Sequence, residues 1–170
     1  MKNLLMLLVL GMIVMPMSIQ AQDDVKRPKN IGVSDFDNFK NSSFDVREES
    51  ASLNENVGKI DSEVKNYSGV MNTIGVGKLK ENLATLKESN KALKVLNDKI
   101  GDLDNDGKTL LENAKKVKPK MKSVNATKNT NQSIKGLGLA KTDLKSVSAL
   151  LKDNIKLISD ELKSRGEIIE

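Results

Sequence analysis

From Phe36 onward the apolar positions Val46, Leu53, Val57, Ile60, Val64, Tyr67, Met71 and Ile74 follow one another in steps of three, four or seven. That spacing draws a single stripe along a helix of about 30 residues, and a repeat near 3.5 is the seam of a coiled coil. Ser50 takes one place in the seam. Gly75-Val76-Gly77 ends the element, glycine being the usual residue past a helix C-terminus. A second stripe holds Leu79, Leu83, Leu86, Leu93, Leu96 and Ile100, and a third holds Leu110, Ala114, Val117, Met121 and Val124. Leu137, Ala140, Leu144, Val147, Leu151, Ile155, Ile158 and Leu162 make the fourth.

The pattern predicts four helices at about 36–74, 78–101, 107–124 and 134–165. Residues 101–107 and the polar stretch 125–133 then read as connections, with Pro119 kinking or ending the third helix. No segment alternates with period two, so no sheet is expected. The fold class is all-α: an elongated antiparallel bundle, with residues 36–166 as one domain and coiled-coil-like packing.

The start of the chain is different in kind. Met1-Lys2-Asn3 is a short basic head, Leu4–Leu10 and Met12–Met15 are apolar, and Ser18-Ile19-Gln20-Ala21 closes on a small residue. This is the layout of a secretory signal peptide cleaved after about Ala21, and it is too short for a membrane span. The expected location is therefore periplasmic or secreted. Residues 22–35 carry Pro28 and Gly32 and show no early periodicity, which reads as a flexible leader.

Composition narrows the chemistry. Cys, His and Trp are absent, and the only aromatics are three Phe and one Tyr. Without disulfides, stability has to come from helix packing or oligomerisation. The commonest general base, the thiol nucleophile and tetrahedral zinc ligation are closed. The chain is read as non-catalytic, with no cofactor. Charge is uneven: residues 22–63 hold ten acids and six bases, whereas 108–166 hold fourteen bases and five acids.

Asp102-Leu103-Asp104-Asn105-Asp106-Gly107 is the one metal-like motif. Acids at alternate places before a glycine match the first half of an EF-hand loop. Asn113 stands where the bidentate acid belongs, and Leu110 occupies the ninth place. Asp102, Asp104 and Asp106 are thus at most a weak calcium site. The competing reading is an interhelix turn, with Gly101 closing one helix and Asp106 capping the next.

Lys115, Lys116, Lys118, Lys120 and Lys122 crowd five ammonium groups into eight residues. With no Arg and no aromatics among them, nucleic acid is not expected as a partner. An anionic membrane surface, an acidic protein or a solvated helix face fits better. Gly75-Val76-Gly77-Lys78 lacks the earlier glycine of a phosphate loop, where Asn72 stands. Residues 75–80 and 136–141 align at an offset of 61, the pattern a duplicated helical hairpin would leave.

Size, export signal, basic charge and long helices are shared with Skp-type periplasmic holdase chaperones. The strand-forming start and end of that family have no clear counterpart here beyond Ile31-Gly32-Val33-Ser34-Asp35, so no family is assigned. The leading expectation is an exported protein acting through helical surfaces, in protein-protein interaction or self-association. The alternative is a holdase-like or membrane-surface protein using a basic amphipathic face.

Overall fold

Three helices, not four, carry the chain: α1 Ser34–Asn66, α2 Val76–Ala114 and α3 Lys120–Ser164, with one 3₁₀ turn at Met71–Thr73. The computed structural model describes residues 25–169, and no strand occurs among them. The segment that the sequence reads as a signal peptide lies outside the described residues. Short connections fold α2 back on α1 and α3 back on α2. The third helix packs along both others, which meet each other less extensively.

The helices are long because their seams continue where the sequence pattern looked broken. In α1 the seam runs Phe36, Phe39, Ser43, Val46, Ser50, Leu53, Val57, Ile60 and Val64, every residue buried or packed against the core. In α2 it passes from Ile100 through Leu103, Gly107 and Leu110 to Ala114, still in steps of three and four. In α3 it starts at Ala126 and proceeds through Thr130, Ser133, Leu137, Ala140, Leu144, Val147, Leu151, Asn154 and Ile158.

Two expected connections are therefore helical. Residues 101–107 belong to α2, so Gly101 closes nothing and Asp106 is not a cap. A Cβ added at Gly107 would lie 2.9 Å from Phe39 Cζ and 3.2 Å from Ile134 Cγ1. The residue that resembled a turn glycine instead lets α1 and α3 approach α2 closely, and that packing outweighs its helix cost of roughly 1 kcal/mol. Residues 125–133 belong to α3, with Ala126, Asn129, Thr130 and Ser133 buried. Their small side chains face the bulky end of α1, where Phe36 packs with Ala114 and Ala126. The hydroxyls bond back along the helix, Thr130 to the Ala126 carbonyl at 2.8 Å and Ser133 to that of Asn129 at 2.9 Å.

The true break is at 115–119, inside the expected third helix. Met121 and Val124, placed by the pattern on a buried stripe, are 71% and 55% exposed. That stripe joined the end of α2 to the start of α3 across a turn. The suggested duplication also has no matching geometry: Gly75 precedes α2, whereas Gly136 is buried in the middle of α3.

Residues 25–33, expected to be flexible, form an extended strap tied to the bundle. The Asp37 carboxylate, in the first turns of α1, accepts the backbone N–H groups of Ile31, Gly32 and Val33 at 2.8, 2.9 and 3.2 Å. Gly32 takes a φ of 70°, which suits glycine. Asn129 donates to the Lys29 carbonyl at 2.8 Å, and Arg27 donates to Asp45 and Glu48 while its guanidinium lies 5.7 Å over the Phe44 ring. Hydrogen bonding to Asp45 is the largest influence raising the Arg27 pKa above its ordinary value.

Candidate interaction surfaces

Because α1 and α2 meet less fully than either meets α3, a groove stays open between them. Its floor is Leu53, Ala92, Val95 and Leu96, its walls carry Glu48, Glu49, Glu88 and Lys91, and its volume is about 690 Å³. A smaller hollow of about 340 Å³ continues it past Glu49, bordered by Asp45, Lys99, Asp102 and Leu103. Lys91 pairs with Glu88 at 2.9 Å, and Lys99 reaches across to Glu49 at 3.1 Å. These pairs are solvated and add little stability. Val95 is 54% exposed on the groove floor.

The walls between α1 and α3 are closed by polar side chains. Arg47 bonds to Asp143, which also accepts from Asn54 at 3.5 Å. Further along, Asn154 donates to Asp61 at 3.0 Å, and Asn82 of α2 donates to Glu63 at 3.3 Å. Such contacts at set heights fix the register of one helix against the next.

The acidic run does not form a shared pocket. Asp102 and Asp106 are exposed on α2, while Asp104 is half-buried and its carboxylate accepts from Lys141 of α3. Alternate positions of a helix lie about 200° apart, so Asp104 points away from the other two. Among the described residues no three Asp or Glu side chains gather as a metal site.

The lysine cluster lies at the end of the bundle formed by the α2–α3 connection. Lys115, Lys116, Lys118 and Lys120 are exposed, and Lys122 points toward the Gly32 carbonyl at 3.4 Å. Val117, Pro119 and Ser123 complete a hollow of about 830 Å³ with Lys115, Lys118 and Lys120. Among the described residues no helix is long and apolar enough to cross a membrane.

The pattern of apolar residues pointed to neither surface. Val95 stands beside Leu96, off the seam, and an apolar residue just off the stripe was the available signal for the groove. Set against protein families, curated proteins and solved structures, the chain matches none.

Proposed function

We propose that this is an exported, non-catalytic protein that binds another protein by taking a helix into the groove between α1 and α2. The observation behind this reading is the apolar floor of Leu53, Ala92, Val95 and Leu96 between charged walls. Two antiparallel helices with a third behind them leave the position a fourth helix fills in a four-helix bundle. A helix with apolar residues at i, i+3 and i+7 would cover the floor, and its charged flanks would meet the glutamates and Lys91. The incoming helix belongs to a partner protein or to a second copy.

A photo-crosslinking residue at position 95, introduced during export in the native host, tests this. The expected product is a crosslink to a helical peptide, lost when Ala92 is replaced by Glu. Crosslinking no greater at 95 than at the exposed position 152, together with monomeric sedimentation at all concentrations, overturns it.

A further inference from the structure

We propose that the α2–α3 end of the bundle docks on an anionic lipid surface, with the ammonium groups of Lys115, Lys116, Lys118, Lys120 and Lys122 meeting headgroup phosphates and Met121 and Val124 entering the interface. This surface lies apart from the groove and does not depend on it.

Charge at the two ends of the bundle is handled differently. At the far end most of the cations are paired: Lys65 with Asp61, Lys78 with Glu63, Lys80 with Glu167 and Arg165 with Glu161, Lys163 being the exception. At the α2–α3 end none of the five lysines forms an ion pair among the described residues. Their polar contacts are to neutral oxygens, Lys116 to the Asn113 amide at 3.0 Å and Lys122 to the Gly32 carbonyl. Among the described residues the adjoining ends of α1 and α2 carry the acids Asp35, Asp37, Asp106 and Glu112, and Asp37 already accepts three backbone N–H groups from the strap. Uncompensated positive charge therefore gathers on one tip.

Apolar exposure coincides with it. Met121 and Val124 stand three residues apart in the first turns of α3, which puts them on one side of the helix, 71% and 55% exposed. Exposed apolar side chains ringed by ammonium groups suit an interface that is charged outside and apolar a few ångströms deeper. The hollow over Val117 and Pro119, with Lys115, Lys118, Lys120 and Ser123 around it, has room for a headgroup. Nucleic acid is less suited, since the tip offers no arginine fork and no ring to stack on.

Flotation of the processed protein, recovered from an exporting host, tests the proposal. Vesicles containing phosphatidylglycerol are compared with pure phosphatidylcholine at low and high salt. Binding is expected only to the anionic vesicles and should weaken as salt rises. Loss is on the order of fivefold per lysine removed, so Lys115→Gln, Lys118→Gln and Lys120→Gln together should cost about a hundredfold. Met121→Ser with Val124→Ser should also weaken binding without changing the circular dichroism. Lys152→Gln with Lys156→Gln, remote on α3, should leave it unchanged. Equal binding to neutral vesicles, no binding at low salt, or equal loss in the remote variant overturns the proposal. So does capture by polyglutamate or RNA in preference to anionic vesicles. The groove reading survives any of these, because position 95 is untouched.

Discussion

Arg47 on α1 donates a hydrogen bond to the carboxylate of Asp143 on α3, 96 positions later in the chain. Their side chains are 17% and 6% exposed. Asp143 is the more deeply buried member, so losing its cation should be the costlier loss. Arg47→Ala is expected to destabilise by about 3 kcal/mol, the low end for an orphaned buried charge because Asn54 still donates to Asp143. Asp143→Ala should cost less, since the long Arg47 side chain can reach water. Replacing both, as Arg47→Met with Asp143→Leu, should be nearly neutral. Urea unfolding of the three variants checks the order.

Leu144 and Leu157 share a helix but not an environment: Leu144 is 2% exposed and Leu157 49%. Leu144→Ala should cost about 2–5 kcal/mol. Leu157→Ala should stay within about 1 kcal/mol. Equal losses in thermal melts would contradict the placement of α3.

Gly107→Ala should destabilise, although alanine is the better helix former. The added methyl meets the Phe39 ring at 2.9 Å, and three packed helices leave that ring little room to yield. A loss of about 1–3 kcal/mol is expected. Gly101→Ala, with nothing within 4 Å of the new methyl, should instead stabilise by up to about 1 kcal/mol. Paired melting curves separate the two.

Calcium should leave the melting temperature unchanged, because Asp104 faces Lys141 rather than Asp102 and Asp106. Asp104→Ala should shift stability by less than about 1 kcal/mol, as for other solvated pairs. A calcium-dependent rise that Asp104→Ala removes would support a calcium site at Asp102, Asp104 and Asp106 instead.

The second and fourth stripes were legible in the sequence because large aliphatic residues fill them. Leu79, Leu83, Leu86, Leu93 and Leu96 are all buried, as are Leu137, Leu144 and Leu151. The same seams became unreadable where small or polar residues keep the period. Gly107 on α2 and Thr130 and Ser133 on α3 occupy seam places, yet each resembles loop chemistry when considered alone. What makes them core residues is their partner: Phe39 fills the space that Gly107 leaves. That complementarity is between helices far apart in the chain, and local periodicity does not contain it. The strap was hidden for a related reason, since its anchors Asp37 and Asn129 lie outside the strap itself. As for the candidate sites, the lysines were visible as a cluster, but that they form no ion pair among the described residues was not.

Three is an odd number, and an up-down-up path must start at one pole and finish at the other. The strap lies beside the lysine-rich pole, whereas Arg165 of the C-terminal segment bonds to the carbonyls of Met71 and Ile74 at the opposite one. The 45 residues of α3 join those poles over about 68 Å. The bundle is thus a strut: a fluorophore attached at Ser164, the last residue of α3, would stand about that far from whatever surface holds the other pole.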